Sequence, residues 1–254
     1  MVLVRIAAVS YLNTIPFLYG IRHAGNDLRA ELLLSPPAGC AEALKADEAD
    51  IALLPSAEVP NIPGIHLIGN HCIGAVDAVR TVVLMSDAPM EKIRRIYLDP
   101  HSRTSAALAR ILADVSWKIA PEWMTMEDFG GVGSDPEGGY VLIGDKVFGY
   151  EGRMAHTWDL SHEWHAMTGL PFAFAVWVAR DGVDPEAVAA LETALDYGVA
   201  HIAEAAREDD RVDYDTAVDY LTRCIDFTLD VPKRRALELF WKKHREDSAK
   251  INPG

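Results

Sequence analysis

The apolar positions of this chain alternate between short continuous runs and longer helical ones. Residues 3–9 and 31–35 read as strands, and 50–54 and 79–85 as further strands of the continuous-apolar kind expected in a parallel sheet. Between them, Asn13-Thr14-Ile15-Pro16 reads as a turn into a helix, with Pro suited to the first helical turn and Gly25 ending it, and residues 38–46 read as a short helix. A second series begins near Ser86. It has a strand at 95–98, a helix at 102–113, a strand at 140–143, a helix at 160–167 and an apolar strand at 172–179, with a glycine-rich surface loop at 129–139. From Asp184 and Pro185, an N-cap and first turn, the pattern is helical to about Arg207, then again at 213–224 and 232–243. Strand-helix alternation predicts an α/β fold with a mainly parallel sheet. No internal repeat or low-complexity linker appears, so two α/β lobes joined by chain crossings are expected.

In such sheets ligands bind beyond the carboxyl ends of strands. The polar residues that directly follow the predicted strands are therefore the first candidates: residues 10–13, Pro55-Ser56, residues 102–105 and Gly144-Asp145.

Composition narrows the partners. Half of the 254 residues are hydrophobic, enough for a real core. A formal net charge of −14 argues against non-specific nucleic-acid binding and against docking on anionic lipid. The opening MVLVRIAAVSYLNTIPF carries Arg5 inside its apolar run and is interrupted by Tyr11, Asn13 and Pro16, so it reads as a buried strand rather than an export signal. No stretch approaches the roughly 20 apolar residues of a membrane span. Cys40, Cys72 and Cys224 are scattered without metal-ligand spacing, which suits reduced thiols in a cytoplasmic protein.

Four segments carry candidate chemistry. AVSYLNTIPF (8–17) places Ser10, Tyr11, Asn13 and Thr14 in one strand-to-helix turn, where their amides and hydroxyls can bond a small polar ligand or simply make the turn. DPHSRTS (99–105) is more pointed. Ser102, Arg103, Thr104 and Ser105 open an apolar helix, so free N–H groups, a positive helix end, three hydroxyls and a guanidinium together make an anion site. The Arg103 fork suits a planar carboxylate. AVRTVVLMS (78–86) sets Arg80 and Thr81 at the start of a buried strand, either at a lobe edge or aimed at a cleft. LIGDKV (142–147) puts Asp145 just after a strand, where it can orient a ligand hydroxyl, act as acid or base, or cap the next helix; the cap is the simplest of these.

Other signals fail. His162, Glu163 and His165 are spaced H-E-W-H, not H-E-x-x-H, and no metal is expected. The glycines at 130, 131, 133, 138 and 139 fit neither a phosphate loop nor a dinucleotide fingerprint, and no nucleophile elbow is present. No cofactor is indicated.

The segments AVSYLNTIPF, ADIALLPSAE, AVRTVVLMS, DPHSRTSAALARIL, LIGDKV and DLSHEWHAMTGLPFAFAVW follow one another in an order that resembles the chorismate dehydratase family of menaquinone biosynthesis, in its futalosine-type route. The tail YLTRCIDFTL (220–229) extends the likeness over nearly the whole chain. The resemblance implies a two-lobed type 2 periplasmic-binding-protein-like fold with a ligand cleft between lobes. Lobe one would be residues 1–84 and 178–254, lobe two 85–177, with crossings near Met85 and Val176. It implies a carbon-oxygen lyase that removes water from chorismate to give 3-[(1-carboxyvinyl)oxy]benzoate. By the same likeness Asn13 and residues 102–105 match the family pattern, while Thr81 stands where Ser is common. Ser10, Tyr11, Asn13, Thr81, Ser102, Arg103, Thr104 and Ser105 are then the expected substrate-binding set, with Arg103 and Asn13 holding substrate from opposite lobes. Asn13 and Asp145 are the expected catalytic residues, and His101 is a second candidate base. Two rivals stay open: a solute-binding protein for a carboxylated ligand, and the sister enzyme of the pathway that makes dihydroxynaphthoate.

Overall fold

The structure is a computed structural model that describes residues 3–23, 28–100, 102–126 and 131–251. It divides into two compact units, Met1–Gly74 with Ala173–Val231 and Ala75–Phe172 with Pro232–Gly254.

Numbered in chain order, the sheet of the first unit contains β1 (Val4–Val9), β2 (Ala30–Ser35), β3 (Ile51–Pro55), β4 (Ile65–Ala75), β10 (Phe172–Arg180) and β11 (Asp226–Thr228), ordered β11-β4-β10-β3-β1-β2. β1 lies parallel to β2 and β3, whereas β10 runs antiparallel to β3 and β11 antiparallel to β4. The helices are α1 (Ile15–His23), α2 (Pro37–Lys45), α5 (Pro185–Ala200), α6 (Ile202–Arg207) and α7 (Tyr214–Arg223). Glycines let α1 and α5 meet backbone to backbone: a Cβ on Gly20 would stand 1.9 Å from the Ala194 carbonyl oxygen, and one on Gly198 1.9 Å from that of Pro16. Below that crossing the buried Phe17 ring meets Trp177 and Phe227 edge-on at 5.8 and 5.3 Å, an arrangement that adds about 0.5–1.5 kcal/mol per pair to simple burial.

The second unit is built on β5 (Val82–Ser86), β6 (Arg95–Leu98), β7 (Glu122–Thr125), β8 (Gly138–Ile143) and β9 (His156–Asp159), ordered β7-β6-β8-β5-β9. β6 is parallel to β7 and β8, and β5 antiparallel to β8 and β9. Its helices are α3 (Thr104–Leu112), α4 (Leu160–Thr168) and α8 (Val231–Ile251). Trp164 of α4, Phe172 and Phe240 of α8 form a buried edge-to-face trio with centroids 5.2 to 6.3 Å apart.

Several expectations change. The sheets are mixed rather than mainly parallel, because a continuous apolar run records burial on both faces and carries no strand direction. β4, β7, β9 and β11 were not expected; their half-polar sequences give little periodic signal. The strand expected at 79–85 begins only at Val82, since Arg80 takes a left-handed turn at φ 70°. The long helix breaks at His201, and α8 runs on to Ile251. The tail assigned to lobe one packs from Pro232 onward in the second unit, held there by Phe240 and by Lys250, whose Nζ lies 2.7 Å from Asp114. Gly25, expected to end α1, and part of the 129–139 loop lie outside the described residues.

Candidate functional site

In the second unit, strand pairing gathers three of the predicted segments. β6 and β8 are parallel neighbours, with Leu98 opposite Val141, so the chain after both strands emerges at one edge of the sheet. β5 is antiparallel to β8, with Val82 opposite Ile143, so the residues before β5 reach that same edge. Thr81, Ser102, Arg103, Thr104, Ser105 and Asp145 therefore share one edge although they span 65 positions of sequence.

Thr81 and Ser102 are placed by specific contacts. Gly144, at φ 70°, turns the chain sharply after β8 and donates its N–H to the Thr81 carbonyl at 2.9 Å. Thr81 itself is buried. The turn before it is held by Asp159, whose Oδ2 accepts the N–H groups of Val79 and Arg80 at 2.9 and 2.6 Å while Oδ1 caps α4 through Ser161 and His162. Burial raises the Asp159 carboxyl above its ordinary range even against those four donors. The left-handed Arg80 is further fixed by a two-pronged bond to Glu151 and by stacking on Phe148.

After β6, the Asp99 carbonyl accepts the Ser102 N–H at 3.0 Å, and the Ser102 hydroxyl accepts the Ala106 N–H at 3.2 Å. The N-cap position of α3 is Arg103, and from the residue before it the Ser102 hydroxyl takes one of the free N–H groups of the first turn, so one of its lone pairs is already used. Thr104 and Ser105 are buried at the first turn of α3, whereas Arg103 is exposed. Asp99 has a fully buried carboxylate 2.5 Å from Lys146 Nζ. Asp145 does not cap a helix: the cap position is Gly144, and the element it opens is a short 3-10 turn, Asp145–Tyr150. His101 lies outside the described residues.

In the first unit, Ser10, Tyr11 and Asn13 follow β1 as expected. Their partners come from far along the chain. Arg211 donates to the Ser10 carbonyl and hydroxyl at 3.2 and 3.4 Å, and the Asn13 amide donates to the Tyr220 hydroxyl at 3.4 Å. The Asn13 side-chain oxygen Oδ1 accepts the Thr14 hydroxyl at 3.2 Å. Tyr11 accepts the Thr14 N–H at 3.0 Å through its carbonyl, closing the turn. Ser56, also flagged after a strand, is buried and donates to the Ala173 carbonyl at 2.7 Å, which makes it a brace between β3 and β10.

Sequence reasoning missed Arg211, Tyr220, Asp99 and Lys146. Nothing local marks the first two, since they lie 201 and 207 positions from the groups they hold. Asp99 and Lys146 had a usable signal, because each sits in a flagged post-strand segment; seeing them as a pair needs the knowledge that β6 and β8 are neighbours. The H-E-W-H segment splits three ways: His162 pairs with Asp77 at 2.7 Å, Glu163 accepts the Trp117 indole N–H at 2.8 Å, and His165 lies 3.3 Å from the Leu170 carbonyl. Among the described residues no group of three His, Cys, Asp or Glu side chains could hold a metal ion, and no helix is long and apolar enough to cross a membrane.

Two mixed α/β units, each on its own sheet and joined by more than one chain crossing, define the periplasmic-binding-protein fold. Protein AF1704 from Archaeoglobus fulgidus has this architecture over 97% of the chain and 98% of its own, at TM-score 0.76 and 14% identity. So does the Candida albicans CA3427 gene product, described as exhibiting the generic periplasmic binding protein structural fold, at TM-score 0.68 and 12% identity over 97% and 94% of the two chains. The periplasmic aliphatic sulphonate binding protein SsuA from Escherichia coli matches at TM-score 0.56 and 13% identity over 96% and 93%. Identities this low establish the fold and no more. The family comes from sequence: the menaquinone biosynthesis family matches residues 4–246, and the chain belongs to it.

Proposed function

We propose that this protein is a chorismate dehydratase, a hydro-lyase that converts chorismate to 3-[(1-carboxyvinyl)oxy]benzoate for menaquinone biosynthesis. The observation that carries the reading is the family match over residues 4–246, together with the ordered segments that contain Asn13 and residues 102–105. Chorismate has one carboxylate on the ring and one on the enolpyruvyl ether. Loss of the ring hydroxyl and of the proton on the neighbouring ether-bearing carbon makes the ring aromatic. Aromatisation supplies the driving force, so the protein needs chiefly to orient a dianion and assist proton transfer.

In this reading Arg103, with the hydroxyls of Thr104 and Ser105 and the N–H groups that open α3, takes one carboxylate. Ser10, Tyr11, Asn13 and Thr81 serve the other carboxylate or the departing hydroxyl. The Asn13 amide, oriented by Tyr220 and Thr14, is suited to a group that changes during the reaction. Asp145 is the candidate proton acceptor, and a carboxylate of the substrate is the alternative. No cofactor or metal enters the scheme.

Incubating the purified protein with chorismate and detecting the dehydrated aromatic product tests the reading; binding without turnover would instead make it a solute-binding protein. Arg103→Ala removes a charge-assisted bond worth about 1.5–3 kcal/mol, a tenfold to hundredfold loss in KM or affinity, and Lys restores only part of it. Unchanged turnover and unchanged KM in folded Arg103→Ala protein would remove Arg103 from the site. Asn13→Ala should lower kcat more than it raises KM.

A further inference from the structure

Asp99 is the anomaly at the edge where an anion is to be held. Its carboxylate is fully buried, it belongs to the turn that leads into α3, and its own carbonyl accepts the Ser102 N–H. A buried negative charge there works against any carboxylate at the start of α3, since charges in a low-dielectric surrounding act over several ångströms. Lys146 comes from the turn after the neighbouring parallel strand β8, places its Nζ 2.5 Å from Asp99, and keeps about a quarter of its side chain (28%) open to solvent. The pair is local to the second unit and joins the two turns that carry Arg103 and Asp145.

We infer that Lys146 is a positioning residue whose charge cancels that of buried Asp99, so that the balance of this pair sets how well an anionic ligand is held at the start of α3. The inference rests on the proposal that residues 102–105 receive a carboxylate, and it adds a second determinant to that site. It has a signature that a purely structural ion pair lacks. Breaking a buried pair from either end destabilises the fold, but the two breaks act oppositely on an anion. Losing Lys146 takes a positive charge away from the ligand's surroundings, whereas losing the charge of Asp99 takes away a negative one.

The test compares Lys146→Met, Lys146→Arg, Asp99→Asn and the double variant Asp99→Asn/Lys146→Met. Dissociation constants are measured for isophthalate, an unreactive aromatic dicarboxylate, with KM and kcat for chorismate alongside. Lys146→Met should raise the isophthalate constant and the chorismate KM about tenfold, with a smaller change in kcat. Lys146→Arg should stay within about threefold of wild type, Asp99→Asn should bind as well or more tightly, and the double variant should recover most of the loss. Asp99→Asn weakening binding as Lys146→Met does, or a double variant no better than Lys146→Met, would overturn the inference. So would wild-type protein that binds neither acid. If Lys146→Met does not fold, the Arg, Asn and double variants decide the same question. Absence of chorismate turnover by wild type defeats the dehydratase reading alone, because the isophthalate series is read independently of turnover.

Discussion

The two polar turns of this molecule are built on opposite plans. The turn after β1 in the first unit is held from a distance: Ser10 by Arg211 and Asn13 by Tyr220, both supplied by the segment that returns after β10. The turn after β6 in the second unit is held from within: Ser102 by the Asp99 carbonyl, and Ala106 by the Ser102 hydroxyl, with Lys146 of the adjacent strand end pinning Asp99. A turn held from a distance transmits changes anywhere in its unit to its polar groups. A turn held from within is insulated, and under the proposed function its hold on a carboxylate is governed by the charges beside it.

The largest effect should come from disturbing the first unit far from its polar groups. Gly20→Ala gains about 1 kcal/mol in helix propensity, yet it drives a methyl group into the Ala194 carbonyl. Overpacking against backbone outweighs that gain, and a net loss of about 2–3 kcal/mol is expected in urea unfolding. Chorismate turnover should fall as well, because α1 carries the Asn13 turn. Normal turnover in a destabilised Gly20→Ala protein would break the comparison.

Next in size is Asp135→Asn, at the amino ends of β6 and β8 and so at the other end of the second sheet. Arg95 bonds both oxygens of Asp135 at 2.6 and 2.9 Å, and Tyr97 and the Glu137 N–H add to them. The Arg95 guanidinium pulls the Asp135 carboxyl down to about 2. A carboxyl depressed on folding adds stability above its unfolded value near 4, and that stability disappears as pH falls from about 4 to about 2. Asp135→Asn should therefore be less stable at neutral pH and show a flatter acid limb in that window, with chorismate KM unchanged. An acid limb as steep as that of wild type would assign the pH dependence to other carboxylates.

Ser102→Ala should cost about 1 kcal/mol for the lost bond to the Ala106 N–H, with a modest rise in KM, since that bond lies in the turn proposed to hold the anion. The smallest loss of stability, about 0.5 kcal/mol, is expected for Tyr220→Phe, whose hydroxyl accepts a long bond from the Asn13 amide. Its effect should appear instead as lower kcat with little change in KM, the sign of a misdirected amide. If Tyr220→Phe leaves kcat intact while Ser102→Ala lowers it, the roles of the two turns are exchanged.

Much of this protein is written locally. Apolar runs of five to eight residues mark β3, β8 and β10, because a strand covered on both faces is apolar at nearly every position. Asp184 before Pro185, and Asp213 before α7, announce helix starts that the structure realises through bonds to Glu186, and to Thr216. Residues 102–105 declare an anion-suited helix start for the same reason: the groups that make it are neighbours in sequence. Strand direction, by contrast, is not local. An apolar run looks the same whether its neighbour is parallel or antiparallel, so the reversal of β5 and β10 had no signature. The allegiance of α8 was hidden too, since the apolar stripe bearing Phe240 would fit any core, and only packing against Trp164 and Phe172 assigns it to the second unit. Nor could the chain by itself reveal that Asp99 meets Lys146, or Asn13 meets Tyr220. The first contact exists because strand order brings the turns after β6 and β8 together, and the second because α7 packs its Tyr220 against the turn after β1; both arrangements are settled by the whole set of buried surfaces at once rather than by any one segment.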